Sequence, residues 1–301
     1  MSRRWKWLLA ALVVSPLLGE VAVAGMLCLN MRGAVRPTPP ALHEQALKAG
    51  GHETLDLPRP VGGTLKAELY GALDGRAVVV YGHGYRESRR RADRLAEALL
   101  REGFAVLAFD FAGSGDSTGL VTGAGAIESD DVPVVVQYLV EKRGVARAKI
   151  AYVGFSMGAA AGALAGEGLR GTGAVVLIAS YARLEDTVDV RTRRWVGIGA
   201  RPLLSPAFLF CEALLGRDVA KVRPVERIGG IAPTPLLLVG AAEDWRAPPA
   251  DQEALFVAAG DPKERVIFPH GDHAWLQQSE PEVTAAVVSF LVRALRPPAT
   301  P

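Results

Sequence analysis

The chain alternates short, continuous apolar runs with amphipathic stretches. "RAVVVYGHG" (Arg76–Gly84) is β-branched and ends in glycines, the signature of a buried strand. "ESRRRADRLAEALLREG" follows, with Ser88 as candidate cap, Leu95 and Leu99 on one face, and Gly103 as the stop, so it predicts a helix. "FAVLAFDFAGSGDSTG" predicts a strand running into a glycine-rich loop. "IESDDVPVVVQYLVEKRG" predicts a helix closed by Gly144. "KIAYVGFS" and "MGAAAGALAGEG" are the next strand and helix, and "AVVLIAS" (Ala174–Ser180) is another strand. "TPLLLVGAAED" and "ERVIFPHGDH" are two more, separated by the helical "PADQEALFVAAGD". A last helix opens at Ser279-Glu280-Pro281-Glu282, a capping-box pattern, and carries Val283, Val287, Phe290 and Leu291 on one face.

Fully apolar strands that alternate with helices predict an α/β fold, with a mostly parallel central sheet covered by helices on both faces. "HETLDLP" and "GTLKAELYGAL" are candidates for early antiparallel strands. From Tyr181 to Ala232 the alternation stops; this stretch has prolines and apolar residues such as Trp195, Leu203 and Phe208, and reads as a helical cap inserted between two sheet strands. The expected organisation is an N-terminal segment at 1–31, a Pro-rich linker at 32–54, a core at 55–180 and 233–296, and the cap at 181–232.

The N-terminus changes the picture. Arg3, Arg4 and Lys6 precede an apolar run from Trp7 to Met31, broken only by Pro16, Glu20 and Asn30. Roughly 20 apolar residues span a bilayer, and the basic flank favours a cytoplasmic N-terminus. The segment is expected to be a membrane anchor that holds the remainder outside the cytoplasm. The alternative is a secreted or periplasmic protein, cleaved after Ala22-Val23-Ala24. The formal charge of +2 says little, but nothing in the sequence resembles the basic stripe of a nucleic-acid binder. Cys28 and Cys211 are too few for a disulfide framework, and no Cys/His spacing points to zinc.

The chemistry concentrates at Gly154-Phe155-Ser156-Met157-Gly158, a G-x-S-x-G pattern on a predicted strand–turn–helix. Glycines at both flanks let neighbouring backbones approach, and the serine oxygen stands at a helix N-terminus, where negative charge is stabilised. A serine nucleophile needs a base and an orienting acid. His270 and His273 are the only histidines after Ser156, and both follow the last strand; His273, set off by Gly271, is the preferred base. "LLLVGAAEDWRAPP" offers Glu243 and Asp244 as the acid, with Asp244 preferred. The backbone N–H groups of Met157 and Tyr85 are the candidate oxyanion donors. His83 precedes the serine and reads as a turn residue whose ring bonds nearby backbone.

Taken together, "GHGY", "DFAGSGDSTG", "GFSMG", "GAAEDWRAPP" and "HGDHAW" occur in an order that resembles the α/β-hydrolase fold. The similarity is to serine aminopeptidase-like, monoacylglycerol lipase-like and membrane-anchored ABHD-type hydrolases, over about Leu55 to Leu295. It implies that Asp110 and Gly113–Ser117 form a structural loop. It also implies a serine hydrolase acting on a small-molecule acyl ester or thioester, lipid-like in view of the membrane segment, with no metal or organic cofactor. A peptidase or amidase would use the same residues, with Glu185, Asp186 or Asp189 available to anchor an amino terminus. A catalytically inactive membrane-tethered binding module is the third reading. A nucleotide site is excluded, because "GSGDSTG" lacks both the dinucleotide spacing and the P-loop lysine. Two arginine clusters remain, Arg86 with Arg89–Arg91 and Arg94, and Arg191 with Arg193 and Arg194. They are expected on solvated faces, the second alternatively against anionic headgroups.

Overall fold

The structure is a computed structural model and describes residues 44–46, 48–197, 199, 209, 212–213, 216–278 and 280–295. The expected membrane segment, Ser279 and part of the expected cap lie outside the described residues. No helix among the described residues is long and apolar enough to cross a membrane.

In chain order the elements are β1 (His52–Pro58), β2 (Thr64–Tyr70), β3 (Val78–Gly82), α1 (Asp93–Arg101), β4 (Ala105–Phe109), α2 (Glu128–Arg143), β5 (Ile150–Phe155) and α3 (Met157–Ala165). They continue with β6 (Ala174–Ile178), α4 (Leu184–Val196), β7 (Leu236–Ala241), α5 (Pro249–Ala258), β8 (Lys263–Phe268), α6 (His273–Gln277) and α7 (Pro281–Leu295). The eight strands form one sheet in the order β1-β2-β4-β3-β5-β6-β7-β8. β1 and β2 join antiparallel, as do β2 and β4, and the other pairs are parallel. The first strand takes up His52–Thr54, ahead of the expected core boundary at 55.

Side chains alternate across a pleated strand, so one apolar run serves two faces. In β3, Val78 and Val80 join one core, and Val79 and Tyr81 the other. β5 divides in the same way, with Ile150 and Tyr152 against Ala151, Val153 and Phe155. The first face is covered by α2, α3 and α5 through residues such as Val135, Leu139, Ala161 and Leu255. The second is covered by α1 and α7 through Leu95, Leu99, Val283, Val287, Phe290 and Leu291. The apolar face read for the last helix is the one it buries.

The first arginine cluster departs from expectation. Arg89–Ala92 forms a 3₁₀ turn, and α1 begins only at Asp93, with Ala92 rather than Ser88 at its N-cap and no side-chain cap. The reason is electrostatic. Arg89 is turned inward and 6% exposed, where its Nε donates to Glu68 (3.0 Å) and its Nη1 to Asp110 and Asp116. It is therefore not on a solvated face. Burial pushes the Glu68 carboxyl up, but the Tyr70 hydroxyl and the Arg89 and Arg90 charges outweigh it and hold Glu68 below the usual carboxylate range.

Asp110 anchors the glycine-rich loop after β4. It accepts from the backbone N–H of Arg89 (2.6 Å) and of Asp116 (2.9 Å), and its carbonyl accepts from the Ser117 hydroxyl (2.6 Å). A second buried carboxylate, Asp131 of α2, accepts from Ala112 N–H (2.8 Å) and Arg59 Nε (2.7 Å).

Removing one partner of a buried charge network leaves the others uncompensated. Arg89→Ala is expected to destabilise the fold by about 3–5 kcal/mol, read by urea unfolding; a loss below about 1 kcal/mol would contradict the account.

Asp131 gives a pH signature of opposite sign to most carboxylates. Burial raises it to about 6, against the bonds from Ala112 and Arg59. A folded-state value above the unfolded one means the native state holds the extra proton between about pH 4 and 6. The stability this group confers is thus present at low pH and lost as pH rises through about 6. The stability difference between wild type and Asp131→Asn should shift against wild type by on the order of 2 kcal/mol between pH 4.5 and 8. A difference that is flat across that range, measured by urea unfolding, would overturn it.

Candidate active site

Ser156 lies between the end of β5 and the start of α3, at φ 52° and ψ −111°. A non-glycine residue at positive φ costs on the order of 1–3 kcal/mol and persists only where its surroundings enforce it. The enforcement is visible in the flanking glycines. A Cβ on Gly154 would stand 2.5 Å from the carbonyl oxygen of Gly158, and one on Gly158 would stand 2.2 Å from the carbonyl oxygen of Gly82. Helix α3 is thus pressed against the ends of β3 and β5. Tyr152 pins the same point, its buried hydroxyl donating to the Gly158 carbonyl at 2.7 Å. The backbone N–H of Ser156 donates to Ile178 of β6 (2.8 Å), and its carbonyl accepts from Ala160 (2.9 Å).

The preferred base and acid come together at this turn. His273 Nε2 is 3.0 Å from Ser156 Oγ, and His273 Nδ1 is 2.7 Å from Asp244 Oδ2. The other oxygen of Asp244 accepts from the backbone N–H groups of Arg246 (2.8 Å) and Ala247 (3.0 Å), so both oxygens of this buried carboxylate are used. An ionised carboxylate on Nδ1 fixes the tautomer that leaves the Nε2 lone pair facing the serine. Glu243, one residue earlier, is exposed to solvent. His270 is also exposed, pairs with Glu282 at 3.4 Å and stands edge-on to Trp275. His273 is 6% exposed, beside the Phe155 ring. It lies on the first turn of α6 rather than in an open loop, because Asp272 caps that helix by accepting from the Trp275 N–H at 2.9 Å.

Met157 is the first residue of α3, where backbone N–H groups have no partner within the helix. Tyr85 follows the His83-Gly84 turn at the end of β3. His83 is buried, with Nδ1 2.8 Å from the Gly84 carbonyl and Nε2 accepting from Phe111 N–H at 3.2 Å. Both ring nitrogens are thus committed to nearby backbone, as its turn role requires. Glu87 braces the same turn, accepting from Gly84 N–H at 2.9 Å and bonding Gln277 of α6. It links the His83-Gly84 turn to the helix that carries His273. The sequence reading missed it; its one local signal is a carboxylate three residues after a glycine turn.

Two acids of α4, in the expected cap, are engaged. Glu185 pairs with Arg223 at 3.2 Å and Asp189 with Arg193 at 2.9 Å. Nothing among the described residues sets either aside for a substrate amino group. Among the described residues no cluster of His, Cys, Asp and Glu has the geometry of a metal site.

Residues 74–210 match the family described as serine aminopeptidase, S33. Among curated proteins, human ABHD12B is 30% identical over 237 residues, covering 72% of this chain and 61% of that protein. The uncharacterized protein YqkD of Bacillus subtilis is 27% identical, covering 72% of each chain. Among solved structures, the Pyrococcus furiosus esterase Pf2001 superposes with a TM-score of 0.70 at 21% identity, covering 89% of this chain and 98% of that one. The strand order and these similarities agree: the chain has the α/β-hydrolase fold.

Proposed function

We propose that the protein is a serine hydrolase that cleaves carboxylic esters or thioesters through an acyl-enzyme. The observation that carries this reading is the unbroken chain Ser156 Oγ to His273 Nε2 (3.0 Å) and His273 Nδ1 to Asp244 (2.7 Å). Both distances fall within the hydrogen-bond reach that base catalysis needs. Ser156 attacks the substrate carbonyl while His273 Nε2 takes its proton. The imidazolium so formed is stabilised by the carboxylate of Asp244 on Nδ1. The tetrahedral oxyanion is received by the backbone N–H groups of Met157 and Tyr85, at the positive end of α3. His273 then protonates the leaving alcohol or thiol. Water, deprotonated by the same nitrogen, attacks the acyl-enzyme and releases the acid.

Of the three carboxylates that could anchor a substrate amine, Glu185 and Asp189 are engaged by arginines, which disfavours those two in an aminopeptidase role. The intact triad geometry favours the hydrolase reading over an inactive binding module.

Ser156→Ala is expected to abolish both labelling by a fluorophosphonate probe and hydrolysis of p-nitrophenyl butyrate. His273→Ala is expected to lower the hydrolysis rate by at least about 10³-fold. Labelling that survives Ser156→Ala would overturn the nucleophile assignment.

The proposal extends to the N-terminus: residues 1–31 anchor the enzyme in a membrane, with the catalytic domain on the non-cytoplasmic side. Alkaline carbonate extraction should leave the full-length chain in the membrane pellet. Recovery of a soluble form whose first residue follows Ala24 would replace the anchor by a cleaved signal.

A further inference from the structure

Most arginines among the described residues face a carboxylate, on the surface as well as in the core: Arg143 pairs with Glu53, Arg193 with Asp189 and Arg265 with Glu253. Four that gather beside the triad form no ion pair among the described residues: Arg86, Arg191, Arg194 and Arg246. Arg86 directly follows Tyr85 and holds a left-handed backbone at φ 63°. Arg246 lies two residues after Asp244, its own N–H bound to that carboxylate. Arg191 and Arg194 project from α4 of the cap. Arg194 and Arg246 both lie over the Trp245 ring, at 4.8 and 5.3 Å from its centroid. Arg191 is close enough to Arg246 and Arg86 for both charges to act on it; with partial desolvation as the largest cause, they lower its guanidinium below the ordinary arginine value. The Tyr85 phenol feels Arg86 and Arg191 in turn. The four side chains therefore converge from three separate segments, the oxyanion turn, the acid loop and the cap helix.

Like charges brought together without counter-ions are unfavourable, and an anion between them removes the penalty. Guanidinium forks match phosphate and carboxylate oxygens bidentately, and stacking on Trp245 pre-orders two of them. Val190, beside Arg191, is 38% exposed and offers apolar surface next to the charge. We propose that Arg86, Arg191, Arg194 and Arg246 form an anion-binding rim at the mouth of the active site, which selects esters carrying a phosphate or carboxylate group attached to an apolar chain. The selection of substrate rests on the hydrolase reading above; the anion site does not.

The two are separated by equilibrium binding to the full-length Ser156→Ala protein, which cannot turn over. Isothermal titration compares hexyl phosphate, hexanoate, hexanol and inorganic phosphate. Hexyl phosphate or hexanoate should bind at least about tenfold more tightly than hexanol in low salt, and the advantage should shrink in 0.5 M NaCl as charges are screened. Adding Arg191→Gln with Arg246→Gln should cost at least about tenfold in that affinity, and the corresponding lysine pair should recover part of it. Arg94→Gln, on the remote α1 surface, should leave binding unchanged. A coincident thermal unfolding curve for the glutamine pair establishes that it is folded. Equal affinity for hexanol and the anions, or indifference to the glutamine pair, overturns the rim. Inorganic phosphate binding as tightly as hexyl phosphate overturns the selection of an ester. If the anions bind as expected but wild-type protein resists the fluorophosphonate probe, the hydrolase reading fails and the rim stands.

Discussion

Three backbones meet at one point, and only hydrogen atoms fit between them. Gly154 at the end of β5, Gly158 in the first turn of α3 and the carbonyl of Gly82 at the end of β3 approach so closely that a methyl group on either of the first two would sit at 2.2–2.5 Å from a carbonyl oxygen. This contact forces the reversal from strand to helix to be completed in one residue. Ser156 is that residue, and its positive φ is the consequence. The strain is stored where it is useful: the hydroxyl leaves the plane of the sheet and stands at the N-terminus of α3. The cores on both faces of the sheet supply the burial that offsets it.

The remaining parts of the site are placed by the same parallel sheet. β3, β5 and β7 run in one direction, so the loops at their carboxyl ends bring Tyr85, Ser156 and Asp244 to one edge, and α6 delivers His273 after β8. Each is then fixed by a local device. Two backbone N–H groups hold Asp244, the Asp272 cap holds the first turn of α6, and Glu87 ties the His83-Gly84 turn to that helix. Behind this edge, Arg89 and Asp131 lock the loop after β4 through buried ionic contacts. Those contacts specify a loop conformation more than they add net stability, since desolvation consumes much of what the charges gain.

The parts of this arrangement legible in the sequence are those written in local pattern. Continuous apolar strands, the last helix's buried stripe and the G-x-S-x-G turn each depend on residues within one or two turns of chain. The choice between Glu243 and Asp244, or His270 and His273, was open to one or three residues because neighbouring side chains of the same chemistry differ only in where the backbone aims them; burial separates them. Arg89 looks solvated in the sequence because its run of arginines resembles a charged helix face, while its partners Glu68 and Asp110 each lie 21 residues away. Arg86, Arg191 and Arg194 stand out in the sequence as parts of two separate clusters, but their approach to one another and to Arg246 is not legible there, since three segments contribute them.

The central claim is that a strained serine presents its oxygen to a histidine on one side and to two backbone amides on the other. It is tested most directly by a crystal structure of the protein inactivated with a small alkyl phosphonate. The account predicts a covalent bond from Ser156 Oγ to phosphorus, with the phosphonyl oxygen about 2.7–3.1 Å from the N–H groups of both Met157 and Tyr85. An adduct on any other residue, or a phosphonyl oxygen turned away from both amides, would contradict it.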